Sequence, residues 1–149
     1  MFDFSLGNSF YCDLAYLQVF RTIWTQALAE EFDIETPPPT QVSAHTDVAT
    51  LTQEPEQNRL RLALQGLAAV HGGADLLFLA PIERIDQSPS PTGRATARQI
   101  QLTLRGADRE AIQLDKTYLA ELSDKLTTAA RRRLQHIKAQ GGFAQATEF

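Results

Sequence analysis

Histidine is the side chain whose charge changes nearest neutral pH, and His45 stands in a polar run, Ser43-Ala44-His45-Thr46-Asp47. The run follows a short strand-forming stretch, so His45 falls at the C-terminal end of a strand, the edge where parallel α/β proteins collect their working groups. A neutral imidazole there can hydrogen-bond a carbonyl or act as an acid or base. The plainer reading is a loop-anchoring histidine bonded to Asp47 or to the backbone, with Thr46 and Asp47 as a turn-forming pair.

Other chemistry is thinly represented. His71 ends an apolar helical stripe just before Gly72, where the helix dipole favours a basic side chain, and His136 has no companion at metal-ligand spacing. Glu30-Glu31 and the Glu54/Glu56 pair fall at helix ends or on exposed faces, and Glu83 and Asp86 fall in a loop. No second group is placed to split their pKa values. There is no Gly-x-Gly-x-x-Gly, no phosphate-binding loop and no Gly-x-Ser-x-Gly nucleophile turn, and Gly72-Gly73 alone is too weak a phosphate signal. The single Cys12 excludes an intrachain disulfide and any multi-cysteine metal site.

The 149 residues suffice for one domain with a proper core, expected over 1–149. Hydrophobic and charged fractions are ordinary for a soluble protein, no stretch is long enough to span a bilayer, and Met1 to Phe10 lacks the pattern of a signal peptide. A cytoplasmic protein is therefore expected. The net charge of −4 argues against nucleic acid as a partner. Arg131-Arg132-Arg133 stands against that balance, but near a helix C-terminus such a run most simply faces solvent.

The elements that must position these residues centre on Gln41 to Pro81. A strand over Gln41–Ala44 and a polar loop lead to a helix opened by Pro55, flanked by Glu54 and Glu56. Leu60, Leu64, Leu67 and His71, widened by Ala63 and Ala68, are predicted to form its buried face. Gly72-Gly73 stops the helix, and Leu76 to Ala80 reads as a strand covered on both faces. Upstream, Phe2-Asp3-Phe4 is a minimal strand, and Asn8 or Ser9 can cap a long helix carrying Phe10, Leu14, Leu17, Phe20, Ile23, Trp24 and Leu28 to about Phe32. Pro37-Pro38-Pro39 holds the chain extended. Downstream, Glu83 to Gly93 is an exposed loop, and a shorter helix from Thr92-Gly93 buries Ala97, Ile100 and Leu104 before Gly106. A last helix runs from Lys116 to about Gln140 and is capped by Gly141-Gly142. Strand and helix alternate without hairpins, the pattern of a parallel α/β fold.

Against these elements, Glu54-Pro55-x-x-Asn58-x-x-Arg61, Ala68-Ala69-Val70 and Gly72-Gly73-Ala74-Asp75 resemble the substrate-domain barrel of the methylmalonyl-CoA mutase family. Phe4-Ser5-Leu6-Gly7-Asn8 with the Trp24 helix, Ala95-x-x-Arg98-x-x-Gln101, and Tyr118-x-x-Glu121-Leu122-Ser123-Asp124 ending at Gln140-Gly141-Gly142-Phe143 are similar to its flanking motifs, in order. The resemblance implies about three parallel strands of the C-terminal part of a (β/α)8 TIM barrel, ending in a long helix. The parent family encloses an acyl-CoA in that barrel and uses adenosylcobalamin in a separate domain marked by Asp-x-His-x-x-Gly. That motif is missing here, so no cofactor is expected on this chain alone.

The departures point one way. Where the catalytic subunits of the family it resembles carry His-x-Gln-Thr-Ser, this chain has Ser43 at the histidine position and His45 at the glutamine position. After the paired glycines it has Leu76-Leu77-Phe78-Leu79-Ala80 in place of a polar stretch. Both changes resemble the small, non-catalytic subunit of heterodimeric mutases. The expectation is a structural or assembly role, with Ser43, His45, Thr46 and Asp47 as the substrate-binding candidates and no catalytic or metal residues. The alternative is one wall of the acyl-CoA cavity of an active mutase. Open strand edges imply association with a second copy or a mutase subunit.

Overall fold

The computed structural model describes residues 1–83, 88–106, 112–142 and 144–145. Its elements are β1 (Phe2–Leu6), α1 (Phe10–Phe32), β2 (Val42–Thr46), a 3-10 turn (Val48–Thr50), α2 (Pro55–Gly72), β3 (Leu76–Phe78), α3 (Pro91–Arg105) and α4 (Lys116–Ala139). Among the described residues the strands form one parallel sheet in the order β1-β2-β3. Phe2 pairs with Val42 and Leu6 with Thr46, while Ser43 pairs with Leu76 and His45 with Phe78. The alternating strands and helices, and the long last helix, follow the sequence expectation.

Side chains of a strand alternate between faces, and the register separates the two sets cleanly. Phe4, Leu6, Val42, Ala44 and Leu77 turn to the helices and pack with Leu17 and Phe20 of α1 and Ala69 of α2. The predicted stripe of α1 is largely correct: Leu14, Leu17 and Leu28 are buried, and Trp24 lies edge-on to Phe2 with centroids 4.8 Å apart. Tyr16 is exposed, its ring edge against Phe4. The cap of α1 differs from expectation, since Ser9 makes no side-chain bond and the Asp13 carboxylate instead accepts from the Gly7 N–H at 3.1 Å.

The buried face of α2 shares Ala68 with the predicted one but is otherwise different. Leu60 is 68% and Leu64 53% exposed, while Asn58, Leu62, Gln65, Gly66, Ala68, Ala69 and Gly72 are buried. The reason is close approach: a Cβ on Gly72 would stand 2.8 Å from Leu17 Cβ, so small residues are what let α1 and α2 meet. Gly73 ends the helix with φ of 83°, as the paired glycines predict.

Strand β3 is also corrected, being three residues long with Phe78 58% exposed, so it is not covered on both faces. It is an edge strand, and the Gln101 side chain of α3 donates to the Leu77 carbonyl at 2.8 Å. Helix α3 begins at Pro91, with the Ser90 hydroxyl accepting from Gly93 N–H at 2.8 Å, and buries Ala97 and Leu104. Gly106 closes it in a right-handed conformation. Helix α4 packs on α1 and buries no residue fully. The parts of the Glu83–Gly93 loop at 84–87, with Asp86, and the C-terminal residues 143 and 146–149 lie outside the described residues.

Candidate functional site

Period-two alternation places Asp3, Ser5, Ser43, His45, Leu76 and Phe78 on the sheet face turned away from α1 and α2. Asp3, Ser5, Leu76 and Phe78 are exposed there, His45 is partly exposed, and Ser43 at the centre is buried. Two of the four sequence candidates, Ser43 and His45, therefore meet on one open face.

Asp3 holds them both. The Ser43 hydroxyl donates to Asp3 Oδ1 at 2.6 Å, and His45 Nδ1 lies 3.0 Å from Asp3 Oδ2. The first is a well-formed hydrogen bond; the second is a close contact off the ideal line, and it is an ion pair whenever the imidazole is protonated. The Ser43 bond, then His45, hold the Asp3 carboxyl below its ordinary value. The carboxylate stands between serine and imidazole, so the histidine is not aimed at the hydroxyl as a general base would be. Asp3, lying between two phenylalanines, was missed in the sequence. Strand alternation was the available signal, since it puts Asp3 on the polar side with Ser5.

The other two candidates go elsewhere. Thr46 is buried, and its hydroxyl oxygen accepts from the Ala80 N–H at 3.2 Å. Asp47 caps the 3-10 turn, accepting from Ala49 N–H at 3.0 Å, and so is occupied in turn formation. The partner of His45 is thus Asp3 across the sheet and not Asp47 beside it.

At the C-terminal ends of the strands a second polar set ties the loops together. Asn58, fully buried, donates to the carbonyls of Thr52 (2.8 Å) and Ile82 (2.7 Å) and accepts from Thr52 N–H (2.9 Å). At the other end, Asp75 accepts from Val42 N–H and from Arg21, both at 2.8 Å, and these bonds hold its carboxyl below the usual range.

The Asp3 contacts give a signed expectation. A carboxyl whose pKa is lowered on folding stabilises the fold above its unfolded value, near 3.8, and loses that contribution as pH falls through the folded value. Asp3→Asn should lower the urea midpoint slightly at pH 7, and the gap to the parent chain should close on acidification below 3.8. A gap that is constant with pH would mean the carboxylate charge is not what joins β1 to β2.

Parallel strands each followed by a helix, with the core between the sheet and one helix layer, define a partial parallel α/β arrangement. Over residues 1–149 the chain matches the family model described as methylmalonyl-CoA mutase, and it belongs to that family. It is 26% identical over 154 residues to methylmalonyl-CoA mutase of Escherichia coli (strain K12), covering 99% of this chain and 21% of that protein. To the human mitochondrial methylmalonyl-CoA mutase it is 26% identical over 152 residues, 97% of this chain and 20% of the relative. To the probable methylmalonyl-CoA mutase small subunit of Mycobacterium tuberculosis (strain ATCC 25618 / H37Rv) it is 29% identical over 158 residues, 99% of this chain and 26% of the relative. The chain thus spans about a fifth to a quarter of the length of these relatives.

The family implies cobalamin, and the residues described here do not fit it. His45 is the one imidazole on the open face and is turned to Asp3, while His71 and His136 belong to α2 and α4.

Proposed function

We propose that the chain is a structural piece of a methylmalonyl-CoA mutase-like protein, forming as one domain the C-terminal part of a (β/α)8 barrel, and that it is not catalytic by itself. The observation that carries this reading is the one-sided sheet. Helices cover one face, and the other presents Asp3, Ser43 and His45 beside exposed Leu76 and Phe78, as a barrel segment presents its inner wall. Asp3 takes the Ser43 hydroxyl and stands between it and His45, which suits a scaffold better than a reaction centre.

Assembly follows from the same feature. The edge of β1 and the apolar row Leu76/Phe78 are surfaces that proteins pair or cover, and Leu60 and Leu64 offer a second apolar patch on α2. The small-subunit relative supports a mutase subunit as the natural partner; alone, the chain should close on a second copy of itself. A cytoplasmic setting suits the exposed, free Cys12, which an oxidising compartment would expose to pairing. Among the described residues no helix is long and apolar enough to cross a membrane.

The alternative, one wall of an acyl-CoA cavity in an active mutase, is favoured by the placement of Ser43 and His45 on the open face. Both readings share one expectation: the isolated chain with adenosylcobalamin and methylmalonyl-CoA gives no rearranged product by chromatography of the thioesters. Measurable turnover would overturn the non-catalytic assignment. Acyl-CoA binding by the assembled protein that is lost in His45→Ala would favour the cavity wall over the scaffold.

A further inference from the structure

The hydrogen bonds at the two ends of β1 show which of its backbone groups are free. The Phe2 N–H donates to the Gln41 carbonyl at 2.9 Å, and the Leu6 carbonyl accepts from the Asp47 N–H at 3.0 Å, so Phe2, Phe4 and Leu6 turn their peptide groups toward β2. Alternation then turns the N–H and C=O of Asp3 and Ser5 outward. Among the described residues β1 ends the sheet, and no strand takes those groups.

The helix layer continues past that edge. Helix α1 turns Leu14, Leu17 and Arg21 to the end of α2, Phe20 and Trp24 to Phe2, and Ile23, Gln26 and Glu30 to α4, where Arg131 donates to Gln26 at 2.6 Å. At about 3.6 residues per turn the α2 and α4 sets stand on opposite sides of α1, with the sheet between them, so α4 lies over the space beyond β1. The two helices run parallel, since Asp115 N–H donates to the Tyr11 hydroxyl near their starts and Lys138 pairs with Glu31 near their ends. The sheetward side of α4 is therefore a quarter-turn from Arg131, where Leu119, Leu122, Leu126 and Ile137 form an apolar stripe that is only half-buried. Tyr16, on the arc of α1 between the sheet and α4, is 52% exposed.

Free backbone groups at the side and apolar side chains above are what an added strand requires. We propose that the β1 edge takes one extended strand from a partner protein, a strand that brings no helix of its own. A strand-helix neighbour, including β1 and α1 of a second copy, would have to put its helix where α4 stands. The side chains of the added strand alternate: apolar ones meet Tyr16 and the α4 stripe, and basic or hydroxyl ones lie beside Asp3 and Ser5 on the other face. This rests on the assembly role proposed above and narrows the partner at one of its surfaces.

The test is residue-resolved amide exchange of the full chain, by nuclear magnetic resonance, with blocked heptapeptides that alternate valine or isoleucine with threonine and lysine. Peptide up to about 1 mM should slow exchange of the Asp3 and Ser5 N–H groups saturably, by about tenfold or more. Ser5→Pro removes one outward N–H and none of the bonds to β2, and should weaken peptide binding about tenfold. No binding by any of the peptides overturns the proposal, and so does binding that protects Leu76 and Phe78 at the other edge while leaving Asp3 and Ser5 unchanged. The parent-chain measurement stands without the variant. A chain that self-associates but ignores the peptides loses this proposal and keeps the assembly role; a monomer whose Asp3 and Ser5 the peptides protect supports the proposal and removes only self-association.

Discussion

Asn58→Asp should destabilise the chain by about 3 kcal/mol at pH 7, although it replaces one atom and leaves the shape unchanged. The amide of Asn58 donates to the carbonyls of Thr52 and Ile82 from a fully buried position, clamping the loop before α2 to the segment after β3. A carboxylate there would set an acceptor against two acceptors at 2.8 and 2.7 Å. Arg61, 3.2 Å from the other oxygen, offsets part of the cost. Urea unfolding should show the deficit shrinking on acidification, as the introduced carboxyl takes a proton and recovers one donor. A loss under about 1 kcal/mol at pH 7 would mean the two loops are held by something other than this side chain.

Gly72→Val is the second large effect, with an expected loss of about 3 kcal/mol or more. A Cβ at this position would lie 2.8 Å from both Leu17 Cβ and Leu17 Cδ1 and 3.3 Å from the Leu14 carbonyl, and Leu14 and Leu17 are fully buried. Neither helix can yield without opening the α1–α2 contact. Gly66 offers an instructive comparison, since a Cβ there is nominally closer to its neighbour, 2.3 Å from Leu104 Cδ1. That neighbour is the end of a flexible side chain, so Gly66→Ala should cost less than Gly72→Val. Calorimetric melting of both variants checks the order, and the reverse order would place the tight helix contact at α2–α3.

These two residues also show where the sequence stops being legible. Hydropathy spacing located α1 well, because Leu14, Leu17 and Leu28 are apolar and buried, and the alternation of elements led to the parallel order. On α2 it found Ala68 but missed most of the buried face. The buried positions there are filled by Asn58, Gln65, Gly66 and Gly72, whose fitness lies in hydrogen-bond partners and helix proximity that no apolarity pattern records. Leu60 and Leu64, which matched the pattern, are exposed. The candidate site was legible in half: Ser43 and His45 share a face, while Thr46 and Asp47 serve Ala80 and the 3-10 turn. Strand alternation could place Asp3 on the polar side but could not name its partners, which lie 40 and 42 positions away across the strand pair.

The same strand pair borders the uncovered face of the sheet. The most direct measurement is the solution mass by light scattering coupled to gel filtration over a range of concentrations. A face exposing Phe78 and Leu76 beside two edge strands should be covered, so the expected mass is at least twice the 16.5 kDa of one chain. A species of 16.5 kDa at every concentration would contradict the account, because the open face would then be stable in water without a partner.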